Sequence, residues 1–258
     1  MTIVRTLKGH ADFNEALPSL SLRHARRGWF LALYIPQRHG RGKPPGDKQK
    51  GPGMKLYDSI GPNPRVVKMF MAEKGIDLPR ITIDLMKGEN RQPAHIARNP
   101  GGQTPALELD DGVVLAEITA ICEFLEEKNP SPALVGTNAE ERAVTRMWTR
   151  RVDINIVEPL TNGFRFSDGL GLFKDRLRCM PQAADDLKTL AQERMLWLDG
   201  LIGGRAFIAG DKISLADILL FCFLDFGIQV GQPINPAAKN LLAWYDRIKA
   251  RPSAAASA

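Results

Sequence analysis

Few residues of this 258-residue chain combine the type and spacing that chemistry requires. Cys122, Cys179 and Cys222 are widely separated, with no CxxC and no zinc-type Cys/His spacing, so they read as reduced thiols of a cytoplasmic protein. His95 has no Cys or acidic partner at ligand spacing, which argues against a metal site. The GRGK at 40–43 fails as a phosphate loop: Gln37 stands where a glycine is needed and Pro44 where Ser or Thr is needed. What remains is a set of polar groups at turns and helix starts. Thr104-Pro105 ends a loop. Glu117 stands at a predicted helix N-terminus, where the dipole favours a carboxylate even without a ligand. Arg91 can make a forked contact to a carboxylate and Gln92 can offer an amide, although both types are commonly solvated surface side chains. Ser214-x-x-Asp217 is a capping box and is assigned to folding.

The elements that must position these residues alternate in type. Lys55 to Ser59 reads as a strand. Asn63-Pro64 reads as a helix start, with Asn63 as cap and proline at the first helical position. Val66, Val67, Phe70 and Met71 form that helix's apolar face and Gly75 closes it. Ile81, Ile83 and Leu85 alternate with polar residues as a second strand. Residues 88–98 form an irregular or short helical link. Ala106–Leu109 and Val113–Leu115 flank Asp110-Asp111-Gly112, a hairpin signal. Ala120, Ile121, Phe124 and Leu125 mark a helix ending near Lys128. Tyr57 falls inside the first strand and Cys122 inside this helix, both as core. Beyond a linker rich in proline only helices are expected: one from about Ala139, kinked at Pro159, then about 183–202, 214–230 and 236–250.

Charge and composition bound the function. Hydrophobic residues make up 44% and charged residues 25%, ordinary for a globular chain. The net charge of +6 is concentrated in residues 1–53, where ten Lys/Arg face three acids, so residues 54–258 carry about −1. The folded part therefore offers no electrostatic case for nucleic acid. The most apolar stretch, Ile213–Val230, contains Asp217 and Asp225 and reads as a buried helix, so no membrane span is expected. The expected organisation is a disordered basic extension or mis-assigned start over 1–53, an α/β domain over 54–129, a linker over 130–138, a helical domain over 139–252 and a tail over 253–258.

The stretch Asn99-Pro-Gly-Gly-Gln-Thr-Pro105, followed by ALELDDG and LAEITAICEFLEE, resembles the glutathione-binding half of the glutathione transferase family, and Ser214-Leu-Ala-Asp217 resembles its buried capping box. The likeness covers about 200 residues in the family's order. It implies an α/β thioredoxin-like N-terminal domain plus an all-α C-terminal helical domain, with glutathione as cosubstrate, a small hydrophobic electrophile as the other reactant, and a homodimer about the third and fourth helices. It implies a cis Thr104-Pro105 bond that turns Thr104 toward the cysteinyl backbone of glutathione. Glu117 would take the γ-glutamyl ammonium, with the helix N–H groups of Ile118 and Thr119 on its carboxylate. Arg91, Gln92 or His95 would meet the glycyl carboxylate. Asp153 would either reach the ligand across the dimer or form a surface ion pair.

The pattern breaks where the family keeps its thiol-activating Tyr, Ser or Cys. Lowering a thiol pKa of about 8.5 needs a donor to the sulfur or a helix N-terminus. Here the turn reads Tyr57-Asp-Ser-Ile-Gly-Pro-Asn-Pro-Arg65, with Gly61 about where the hydroxyl is expected. Ser59 and Asn63 are the candidates within it. The departure is similar to the yeast Gtt-type fungal and bacterial subgroup, which recruits a hydroxyl or water from the helical half; by position Thr161 is the matching hydroxyl. Phe164 and Phe166 are candidates to line the electrophile pocket. The alternatives to conjugation are a non-catalytic binding protein of the same fold and a glutathione-dependent isomerase or dehalogenase.

Overall fold

The computed structural model describes residues 53–258. The reading of residues 1–53 as an extension or mis-assigned start therefore lies, but for Gly53, outside the described residues. The first half contains β1 (Lys55–Asp58), α1 (Pro62–Lys74), β2 (Arg80–Thr82), a 3-10 turn at Glu89–Arg91, α2 (Pro93–Arg98), β3 (Ala106–Glu108), β4 (Val114–Leu115) and α3 (Ile118–Lys128). The sheet order is β2-β1-β3-β4, with β1 and β2 parallel and the other pairs antiparallel. This is a thioredoxin-like unit. The Asp110-Asp111-Gly112 hairpin forms as expected, with Gly112 at φ 84°.

Helix α1 begins earlier than its capping signal suggests. Gly61, at φ 110°, occupies the cap position, and the helix starts at Pro62. Proline has its φ preset for a first helical residue and needs no acceptor there, so Asn63 sits inside the first turn and does not cap it. Strand β2 is shorter than the Ile81/Ile83/Leu85 alternation implies; it is an exposed edge strand, and only Ile83 beyond it is buried.

The second half is helical: α4 (Ala139–Val152), a wide turn at Asp153–Val157, α5 (Glu158–Arg165), α6 (Leu170–Phe173), α7 (Ala184–Ile202), α8 (Leu215–Gln229), α9 (Lys239–Lys249) and α10 (Pro252–Ala256). The bend expected at Pro159 is the wide turn before it. Pro159 has no N–H to continue the ladder, and the Glu158 N–H reaches back five residues to the Asp153 carbonyl instead. Residues 253–258 are no loose tail. Ser253, Ala254 and Ser257 are buried, and Glu73 of α1 accepts from Arg251 Nε at 2.6 Å and from the Ser253 hydroxyl.

The core runs through both halves. Val66, Val67, Met69 and Phe70 of α1 join Leu56, Leu107, Ile121 and Leu125 and continue into α8, whose residues Leu215–Leu224 are all buried. Asp217 sits at the centre of α8's start with no exposed surface. It accepts from Ile208 N (2.8 Å), Ser214 N (2.9 Å), Ser214 Oγ (2.7 Å) and Trp244 Nε1 (2.8 Å), so the capping box also pins α9 and the loop before α8. Tyr57 and Cys122 are core residues as read, the Tyr57 hydroxyl donating to Glu108 at 2.6 Å.

Candidate functional site

Two adjoining hollows lie beside the N-terminus of α1. The larger, about 260 Å³, is walled by Ile60–Pro64, by Leu85, Met86, Asn90, Arg91 and Gly102–Thr104, and from the helical half by Thr161, Phe164, Arg165, Phe173, Arg176 and Phe226 with neighbouring leucines. The smaller, about 30 Å³, is a polar notch of Asn63, Asn99, Gln103, Thr104, Pro105, Glu117 and Ile118. Asn63, Gln103 and Thr104 border both, so a ligand in the notch would extend into the larger cavity past these residues.

The loop that forms the shared wall is held from beneath. Asn99 Nδ2 and His95 Nε2 both contact the Gln103 carbonyl, at 3.0 and 2.9 Å, and Asn99 Oδ1 accepts from Gly101 N at 3.1 Å. Asn90 Nδ2 donates to the Gly102 carbonyl at 2.7 Å. Gly102 adopts φ 59°, and a Cβ there would stand 2.8 Å from Arg91 Nη1 and 3.1 Å from the Asn90 carbonyl, so a side chain would be strained and would displace Arg91. The Thr104–Pro105 bond is cis. His95, 2% exposed, is thus a support of the loop; its placement removes it from ligand contact.

Glu117 is the lone non-glycine residue with positive φ (68°) among the described residues. A backbone held in a sparsely populated region costs roughly 1–3 kcal/mol and clusters at sites that use the resulting geometry. Here the strained residue borders the notch at the start of α3, and its side chain makes no cap hydrogen bond.

The sequence-derived candidates separate cleanly. Arg91, Thr104, Pro105, Glu117, Ile118, Asn63 and Thr161 border the hollows. Gln92 is exposed and Thr119 half-buried, and neither borders a hollow: Gln92 precedes α2 facing outward, and the first turn of α3 carries Thr119 past the notch. Ser59 is 5% exposed and lies behind the wall; its hydroxyl contacts Thr104 Oγ1 and donates to the Ile60 carbonyl at 3.1 Å, so it orients Thr104. Thr161 borders the larger cavity, but its hydroxyl donates to the Val157 carbonyl at 2.6 Å, the i−4 bond that Thr commonly makes in a helix. Asn63 differs from both: among the described residues its side chain has no hydrogen-bond partner, and as second residue of α1 its N–H lacks an intrahelical acceptor. Phe164 lines the cavity, packed edge-on against Phe173 and Phe226; Phe166 turns into the core. Asp153 forms the surface pair, with Arg150 at 3.0 Å.

The three thiols play no part in the hollows. Burial pushes the Cys222 thiol up to about 12 and holds Cys122 well above its ordinary range. Sequence reasoning missed Asn90, Asn99, Gln103, Arg165 and Arg176. Gln103 and Asn99 lie within the NPGGQTP run and were legible as its members; Arg165 and Arg176 come from helical-half residues with no motif around them.

Comparison with known proteins agrees with this architecture. The profile of the glutathione S-transferase N-terminal domain matches residues 60–128, and that of the glutathione S-transferase C-terminal domain matches residues 179–252. Glutathione S-transferase 2 of Saccharomyces cerevisiae is 33% identical over 216 residues, covering 81% of this chain and 90% of its own. The crystal structure of Gtt2 from Saccharomyces cerevisiae superposes with a TM-score of 0.74 at 31% identity, covering 79% of this chain and all of that one. A maleylacetoacetate isomerase of Pseudomonas aeruginosa is 33% identical over 156 residues, covering 60% of this chain and 71% of its own. The chain belongs to the glutathione S-transferase family and is of the Gtt type within it.

Proposed function

We propose that this protein is a glutathione transferase in which the thiolate of bound glutathione attacks a hydrophobic electrophile. The observation that carries the reading is the joining of a polar notch to an apolar cavity across Asn63, Gln103 and Thr104, beside the N-terminus of α1. Glutathione fits the notch by its charges. Glu117 meets the γ-glutamyl ammonium, the Ile118 end of α3 meets the adjoining carboxylate, the Thr104 backbone pairs with the cysteinyl unit, and Arg91 meets the glycyl carboxylate. Neither Ser59 nor Thr161 has a hydroxyl proton free for the sulfur, so the Asn63 amide and the α1 dipole supply the stabilisation. Holding both reactants in adjoining hollows supplies the rest by proximity.

Conjugation of a chlorodinitrobenzene, measured together with an ultraviolet titration of enzyme-bound glutathione, tests this. Turnover with a bound-thiol pKa below the free value is expected. Binding with a thiol pKa at the free value and no turnover would leave a ligand-binding protein instead. The isomerase relative supports a second reading, in which the thiolate adds to a double bond and leaves again; there glutathione would be unchanged after turnover.

A homodimer about α3 and α4 is favoured by the exposed Val144, Met147 and Ile154 on or just after α4, and a monomeric mass by light scattering would contradict it. A cytoplasmic location is favoured by the three unpaired thiols. Among the described residues no helix is long and apolar enough to cross a membrane.

A further inference from the structure

The helical wall of the larger cavity carries two cations without a counter-charge. Arg165 ends α5 and Arg176 follows α6, and both border the cavity. Among the described residues neither has a carboxylate within 4.0 Å, a lack they share with other arginines, Arg91 among them; what sets this pair apart is that both border the cavity from its helical wall. Arg165 lies over the Phe173 ring, its guanidinium carbon 5.5 Å from the centroid. One of its N–H groups reaches Asn162 Oδ1 at 3.3 Å, and its Nε is buried with no partner. Burial lowers its pKa, which Cys179 and Glu158, the latter beyond ion-pair distance, only partly offset. Arg176 commits one N–H to the Leu85 carbonyl at 3.2 Å. A guanidinium has five donors, so most of both groups' capacity is unused.

Both guanidiniums are half-buried, and the Phe173 ring gives Arg165 only a cation–π contact, so a carboxylate between the two would gain charge-assisted hydrogen bonds that nothing in the wall now supplies. Glutathione does not supply it in the proposed arrangement, because its carboxylates lie at Ile118 and Arg91 on the opposite wall. We propose that the second substrate is an amphipathic anion, an aromatic or alkyl electrophile bearing a carboxylate, and that Arg165 with Arg176 grips that carboxylate while Phe164, Phe173 and Phe226 enclose the apolar body. This rests on the glutathione transferase reading above.

Two measurements test it and keep the two readings apart. The first is calorimetric binding of S-(carboxybenzyl)glutathione against S-(methylbenzyl)glutathione. The intact protein is expected to bind the carboxylated conjugate about tenfold or more tightly, the ordinary advantage of a charge-assisted hydrogen bond. Arg165→Gln and Arg176→Gln should each remove most of the carboxylate-over-methyl ratio of affinities, whatever they do to the two affinities separately. The comparison within the intact protein stands even where a variant folds poorly.

The second is turnover of a chloronitrobenzoate against its methyl ester, each rate divided by its uncatalysed rate with glutathione. In that reaction the glutathione thiol gives its proton to solvent, sulfur bonds to the ring carbon, and chloride leaves with the bonding electron pair. Preference for the acid in both measurements supports the proposal. Equal or weaker binding of the carboxylated conjugate overturns it, even where both aryl halides react. Tighter binding of that conjugate with no turnover of either halide upholds the anion site and refutes the transferase chemistry.

Discussion

Replacing Asn63 by alanine should raise the pKa of enzyme-bound glutathione without unfolding the protein. The side chain borders both hollows and bonds to no other described residue, and it occupies the second position of α1 without capping it. Alanine is a better helix former than asparagine, so no loss of stability is expected. A hydrogen bond to a charged acceptor contributes about 1.5–3 kcal/mol, and one pKa unit corresponds to about 1.4 kcal/mol, so an Asn63 amide bonded to the sulfur would lower the thiol pKa by about 1–2 units. The α1 dipole adds roughly 0.3–1 kcal/mol, less than one unit, and survives the substitution. The variant's thiol should therefore titrate about 1–2 units higher. Below the wild-type pKa, kcat/KM should fall about tenfold for each unit, and it should recover as the pH rises through the new value. Ultraviolet titration of the bound thiolate and the pH profile of kcat/KM read the same quantity independently. Thr161→Val should scarcely move that pKa, because its hydroxyl proton is already committed to Val157 at 2.6 Å. If Thr161→Val raises the thiol pKa and Asn63→Ala leaves it in place, the assignment of the donor is wrong.

Gly102→Ala would force a Cβ to within 2.8 Å of Arg91 Nη1 at a positive φ, so KM for glutathione should rise at least several-fold with little change in kcat at saturation; an unchanged KM would remove Arg91 from the site. Asp217→Ala strips the acceptor from four buried donors and should cost roughly 3–5 kcal/mol in urea unfolding; a loss below about 1 kcal/mol would show that the capping box is dispensable. Burial raises the carboxyl pKa of Glu73 and Asp225, but hydrogen bonds from Arg251 and Ser253 to the first, and from Tyr245 and Arg65 to the second, outweigh it and hold both below their ordinary values. A depressed native pKa adds stability that is complete above the ordinary carboxylate range and is lost as pH falls through the native values. The urea midpoint should thus be flat near neutrality and fall in acid, with a shallower fall in Glu73→Gln; an identical slope in that variant would rule out the Glu73 anchor.

Sequence alone determined the order of elements from β1 to α3 and the Glu117 helix start by local rules, and the family and the cis proline by resemblance; the short α6 and the docked α10 were not legible in it. Hydrophobic periodicity, turn residues and capping pairs act over a few positions, and NPGGQTP with the LAEITAI run keeps most of the notch's lining in one stretch of chain. Only tertiary structure decided which polar groups are free. Ser59 and Thr161 looked like hydroxyl donors, yet Ser59 is turned toward Thr104 across 45 residues of sequence and Thr161 is bound to its own helix. Asn63 looked like a cap, and a proline one residue earlier released it to face the cavity. Arg165 and Arg176 were silent in the sequence because their significance is the absence of a nearby described carboxylate, which depends on how α5 and the segment after α6 pack against the first domain. A donor's availability depends on what is packed around it, and local spacing carries no record of that.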